Sequence, residues 1–257
     1  MKAAGLLLAL LATPALAAPE QLRFIACPIY RDADNGKKSG CWLVDDRENG
    51  VRYDVSLSPV KPDWNYAVLV EGVVAPAQVD SCGGVVLDAV RVSVLEQPCT
   101  RMMLPAEGFT GRAFVLPKRN VAPLYVPRAA FEQPYREREF IIPFGFDKSF
   151  IDYQLSDYLL DEAVAYAVAS HAAKVEITGY AQTTPAAVSG VSLKEPLSIA
   201  QDRAKVAAAW MTQLGVPADR VSVSWKGASE PVSMPGADGL TEPSRRRVTI
   251  RVVPPPG

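Results

Sequence analysis

The chain has 257 residues, 49% of them hydrophobic, with 27 basic and 28 acidic side chains and a net charge of −1. That length and composition describe a globular protein of one large or two ordinary domains. The near-neutral balance lacks the basic footprint of a nucleic-acid-binding protein and gives no electrostatic reason for strong membrane adhesion.

Met1-Lys2 and the run AAGLLLALLATPALA form a charged start, a short apolar stretch and a small-residue cleavage signal, so residues 1–17 are expected to be a signal peptide. Removing Lys2 leaves 26 basic side chains against 28 acidic, a net of −2. No other stretch has the 18 consecutive apolar residues of a membrane span. The expected product is an exported periplasmic protein, with association to the outer membrane or the cell wall as a further expectation.

Residues 18–104 read as a small all-β domain. Candidate strands are 22–29, 41–45, 51–55, 66–74 and 85–95, separated by turn-rich pieces such as RDADNGKKSG and SPVKPDWN. Five short strands around VLVEGVV suggest a closed barrel of the OB kind, which names no ligand. Asp32-Ala33-Asp34-Asn35-Gly36 resembles the start of a calcium loop, but its glycine is one position early and Leu43 stands where glutamate belongs. An ordinary turn is expected there.

The four cysteines, Cys27, Cys41, Cys82 and Cys99, lack the Cys-x-x-Cys spacing of a zinc site and are expected to form two disulfides in an exporting compartment. A strand over 85–95 would span about 36 Å, and disulfide-linked Cα atoms must come within about 7 Å. A Cys82–Cys99 bond therefore needs a bend in that strand. Without one, Cys27–Cys41 is excluded as well, and a crossed pairing is expected.

Residues 105–137 carry Pro105, Pro117, Pro123, Pro127 and Pro134 without clean periodicity. With Phe109, Phe114 and Phe131 among them, they read as a linker that partly packs. The second domain, 138–257, starts with a strand in EFIIPFGF whose Pro143 marks an edge or bulge. A helix over 156–173 follows, with Leu159, Leu160, Val164 and Ala167 inward. KVEITGYAQ then alternates as a strand. Ile199, Arg203, Val206, Trp210 and Leu214 recur at helical spacing, and Gly215 and Pro217 stop that helix. DRVSV and RVTIRVV supply the remaining strands of an α/β layer.

GYAQ, IAQDRAKVAAAWMTQLGVPADRVSV, GASEPV and SRRRVTI, in that order, resemble the OmpA-like peptidoglycan-binding domain over roughly residues 140–253. The resemblance implies a two-layer α/β sandwich and, with the first domain, an α+β protein overall. In that family an acid after a threonine, and an arginine on the helix, hold the diaminopimelate of the wall peptide. Arg203 matches that arginine, and Arg246 and Arg247 match a late arginine pair. Ala181-Gln182 stands where Thr-Asp is expected, so Gln182 offers the ligand's ammonium a carbonyl oxygen and no charge. Glu195, on a loop longer than the family's, is the candidate to replace it. The candidate ligand-binding set is thus Gln182, Glu195, Arg203, Arg246 and Arg247.

The single histidine, His171, is expected near the end of the Ala-rich helix, where a positive charge suits the helix dipole; a serine or cysteine hydrolase would need it as its base, and a multi-histidine metal site would need more than one. Sequence therefore points to a non-catalytic envelope protein with no cofactor and no metal. Its expected partner is peptidoglycan. The alternative is the same fold without wall binding, holding other envelope proteins. No nucleic acid is expected as a partner.

Overall fold

A computed structural model describes residues 20–32, 40–79, 82–106, 130–152, 156–227, 230–234 and 237–256. The expected signal peptide, most of the Pro-rich linker and the Asp34-Asn35-Gly36 turn lie outside these residues. The first sheet uses β1 (Gln21–Ala26), β2 (Pro28–Arg31), β3 (Cys41–Asp45), β4 (Arg52–Asp54), β5 (Tyr66–Val74), β6 (Val85–Pro98) and β7 (Met102–Leu104). Their order is β1-β5-β6-β4-β3-β2-β7. It is a seven-stranded sheet where five strands in a closed barrel were expected, and among the described residues no ladder closes it into a ring. Val44, Val55, Val68, Val70, Leu87 and Val92 form its core.

The disulfides are Cys27–Cys99 and Cys41–Cys82. The expected exclusion of Cys27–Cys41 holds, but the pairing is nested rather than crossed. Register explains it. Ala26 lies opposite Val68 at the start of β5, and Tyr66 lies opposite Pro98, which brings Cys27 to Cys99. At the other end β4 runs parallel to β6 and antiparallel to β3, so Cys82 arrives beside Cys41. The long β6 keeps Cys82 and Cys99 apart, as its length requires.

The second sheet uses β8 (Arg138–Pro143), β9 (Lys174–Ala181), β12 (Val221–Gly227) and β13 (Arg247–Val253), in the order β12-β9-β13-β8. Pro143 closes the edge strand β8, the place where a missing N–H costs least. Two helices cover one face: α1 (Asp157–Ala169) and α2 (Leu197–Gln213). Leu159, Leu160, Val164 and Ala167 are buried as expected. The helix stops earlier than the expected Ala173, and His171 lies beyond it at φ 51°.

The buried face of α2 is not the apolar stripe that its spacing picks out. Ala200, Arg203, Ala204, Ala207 and Met211 are buried, while Trp210 and Leu214 are exposed. The helix is turned by roughly a quarter turn because it lies very close to the sheet. A Cβ on Gly179 would sit 1.9 Å from the Ala200 carbonyl oxygen, so only glycine fits below and only small side chains fit above.

The long loop before α2 contains a hairpin that periodicity did not indicate: β10 (Ala186–Val188) and β11 (Val191–Leu193). Ser189 and Gly190, both at positive φ, make its two-residue turn. Val188 and Leu193 pack with Ile25, Ala67, Leu69 and Phe146, a cluster drawn from both halves of the chain.

Candidate ligand pocket

Arg203 leaves the second turn of α2 and is fully buried. Its Nε donates to the Lys148 carbonyl at 2.7 Å. Nη1 donates to the Tyr180 carbonyl at 2.8 Å and to Glu195 Oε2 at 3.0 Å. Nη2 donates to the Gly145 carbonyl at 3.0 Å and to Glu195 Oε1 at 2.5 Å. A guanidinium has five N–H donors, and these five bonds use all of them.

Glu195, also fully buried, completes the arrangement from its side. Its two oxygens accept the backbone N–H groups of Asp147 and Gln182, each at 2.7 Å. Burial raises its pKa most, but the Arg203 hydrogen bonds and charge, the Arg246 charge and the Gln182 N–H together outweigh burial and hold the carboxyl below its ordinary value. Sequence reasoning put Glu195 forward as a substitute for the acid that meets the ligand's ammonium. Instead it lies against Arg203, in the role that the resemblance gives to the ligand's own carboxylate.

Gln182 is buried one residue beyond β9, and its Oε1 accepts Arg23 Nη2 at 3.2 Å and Arg246 Nη1 at 3.4 Å. Arg246 is itself fully buried and forms a bidentate pair with Glu71 of β5, Nη1 to Oε1 at 3.3 Å and Nη2 to Oε2. Arg23 of β1 reaches the same Glu71 at 3.1 Å and Glu242 at 3.2 Å. Arg247 faces away from this cluster, as strand alternation demands, and stacks on Tyr180 at 4.0 Å from the ring centroid. Of the five candidates, Gln182, Glu195, Arg203 and Arg246 therefore line one buried region, and Arg247 does not.

Sequence reasoning missed Glu71 and Arg23. The available signal was a charge in the centre of the apolar run VLVEGVV, where an unpaired carboxylate is not tolerated. The same holds for Arg91 of β6, which forms a bidentate pair with Asp238 across the two halves of the molecule. Two open grooves, of about 310 and 180 Å³, lie elsewhere, and none of the five candidates lines either one. Cys41, Cys82 and Asp54 lie within ligand distance of one another, but the two sulfurs are bonded together and leave no thiolate for a metal.

A glycine under a close helix, an inward arginine on that helix and a late arginine pair at the start of the last strand belong to one four-stranded α/β layer. The profile of the OmpA family matches residues 144–244. Those residues form an OmpA family domain. The solved structures similar to this chain include the OmpA-like domain of FopA1 from Francisella tularensis (19% identity, 46% of this chain and 73% of that one, TM-score 0.36). Others are the cell wall anchor of the type VI secretion system (T6SS) from Pseudomonas aeruginosa (21%, 49% and 87%, 0.35) and the peptidoglycan-associated lipoprotein from Burkholderia pseudomallei (21%, 44% and 88%, 0.33). No curated protein matches the chain. The OmpA family domain does not extend over β1 to β7, and no described helix is long and apolar enough to cross a membrane.

Proposed function

We propose that this is a non-catalytic protein of the bacterial envelope whose OmpA family domain no longer takes the wall peptide at the inherited pocket. It serves instead as a protein–protein interaction module. One observation carries the reading: every donor of Arg203 is used inside the chain, with Glu195 where a ligand carboxylate would bind. Opening that site means exposing a buried ion pair, and separating such a pair costs about 3–5 kcal/mol. A peptide carboxylate would have to recover this before gaining any affinity. The second face of the pocket is closed as well, because Glu71 holds Arg246.

Residues 18–104 we take as a barrel of the OB kind fused to this domain. β1 and β2 are one run of chain interrupted at Cys27, and their ladders lead to β5 and β3 respectively, so the sheet returns to the run it started from. Two disulfides agree with an oxidising, periplasmic setting.

The test is retention on isolated peptidoglycan sacculi at low salt. The purified protein is expected to stay in solution, with or without Arg203→Ala. Retention that free diaminopimelate competes away would overturn the reading, whatever the fate of the variant.

A further inference from the structure

Among the described residues, the outer edge of β12 is unpaired. This strand ends the sheet order and pairs on one side only, parallel to β9 and without a bulge from Val221↔Val175 to Gly227↔Ala181. Six of its seven residues are exposed, Trp225 to 43%. Native edges are usually guarded by proline, a bulge or an outward lysine. β12 has no proline, and its one lysine, Lys226, lies over the Tyr180 ring of its own sheet, 5.3 Å from the centroid.

Val223 and Trp225 share a face with Ile177 and Gly179, the face that α2 covers. On α2, Ala208 packs toward the core shared with α1. Trp210 lies about 200° further round the helix at 100° per residue, on the flank away from α1, and is 45% exposed. The open strand edge and the two tryptophans therefore belong to one side of the domain.

We propose that β12 pairs antiparallel with the β12 of a second copy about a two-fold axis at Ser224, joining two four-stranded sheets into one of eight. The strand is self-complementary in that register. Val223 of each copy meets Trp225 of the other, an aromatic and β-branched pair on the helix face. Ser224 meets itself. Lys226 meets Ser222, so no like charges are opposed, which suits a second copy of this chain. The axis leaves both α2 helices on one face and turns Trp210 of each toward the seam. Two half-exposed tryptophans leave about 200 Å² of indole uncovered per copy. With the strand edges added, the contact stays at the low end of specific interfaces, below about 1,200 Å². The dimer is accordingly weak and concentration-dependent.

Sedimentation from micromolar to millimolar protein should show a reversible monomer–dimer equilibrium. Ser224→Cys should then crosslink to its own copy under mild oxidation. The four native cysteines are already paired, and directly opposed antiparallel residues lie about 4.5–5.5 Å apart, within disulfide reach. Ser222→Cys faces Lys226 and should not crosslink. Ser224→Lys opposes two ammonium groups and should raise the dimer midpoint at least tenfold while the melting temperature of dilute protein stays unchanged. A monomer at every concentration, equal crosslinking at 222 and 224, or a dimer indifferent to Ser224→Lys would overturn the proposal. A monomeric edge that takes up an extended segment of another protein would overturn it equally.

Discussion

Two buried arginines, Arg203 and Arg246, are neutralised in different ways, and the difference separates what the OmpA family domain does alone from what the fusion adds. Arg203 is closed from within its own domain, by Glu195 eight residues earlier in the chain. Arg246 is closed from outside, by Glu71, 175 residues away on the first sheet. The first pair keeps the domain's own fold. The second fixes how the first sheet sits on it, helped by Arg91–Asp238 and by the hairpin that covers Ile25. A buried charge with no partner is intolerable in either place, so each arginine constrains its carboxylate and the carboxylate constrains the backbone that carries it.

Removing Glu195 should be the more damaging change. Glu195→Ala leaves Arg203 buried with only carbonyl partners and frees the Asp147 and Gln182 amides, so a loss of about 3–5 kcal/mol is expected. Thermal or denaturant unfolding would measure it. A loss below about 1 kcal/mol would mean that water or a rearranged loop reaches the site, and that the pocket is less closed than its geometry says.

Glu71→Ala should cost about 3 kcal/mol, the lower end of the same range, because Arg246 keeps Gln182 and Arg23 keeps Glu242. It should also act at a different place. Amide exchange is expected to speed up at β1, β5 and the hairpin while β9 and β13 stay protected. Equal loosening of both sheets would show that the two pairs are not separable in this way.

A smaller and pH-dependent effect is expected at Asp152, also near the junction. Burial pushes its pKa up to about 6, with Arg91 and Lys148 pulling the other way, and its Oδ2 meets no donor among the described residues. A raised folded-state pKa means that the native protein holds the proton more tightly than the unfolded chain. The stability this contributes is complete below the ordinary value near 3.8 and is lost as pH rises through about 6. Asp152→Asn should therefore stabilise the protein by about 1 kcal/mol at pH 7.5, since an amide is cheaper to bury than a carboxylate. It should give no gain at pH 4. Unfolding curves at the two pH values check the sign.

The parts of this arrangement that were legible in the sequence are local. Strand alternation, the glycine stop after α2 and the motif order gave the second sheet its elements, because each signal spans fewer than about twenty residues. The same signals misjudged the buried face of α2. Its apolar spacing favoured Trp210 and Leu214, but the close approach at Gly179 admits only alanine-sized neighbours. The hairpin at Val188 and Val191 was legible only through its Ser-Gly turn, since three-residue strands carry too little period. Pairs such as Glu71–Arg246 have no local signal beyond a charge in an apolar run, and nothing in the chain names the partner.

Gln182→Asp is the smallest change and the sharpest question about the pocket. It restores the carboxylate type that the family carries at this position, at a site that here faces Arg23 and Arg246. If the pocket were open, the new charge would face the ammonium of a wall peptide and raise retention on sacculi. In the closed arrangement it meets two guanidinium groups already shared with Glu71. The shorter side chain must also give up part of the reach that Gln182 has. Stability is then expected to change by no more than about 1 kcal/mol, since the gain of a charged acceptor is offset by crowding a second carboxylate beside Glu71. Retention is expected not to change. Combining Gln182→Asp with Glu195→Ala isolates the remaining barrier. Retention gained only by the double variant would place the block at Glu195, whereas a double variant that still ignores the wall would place it at the first sheet, with Glu71 as the group that keeps the peptide out.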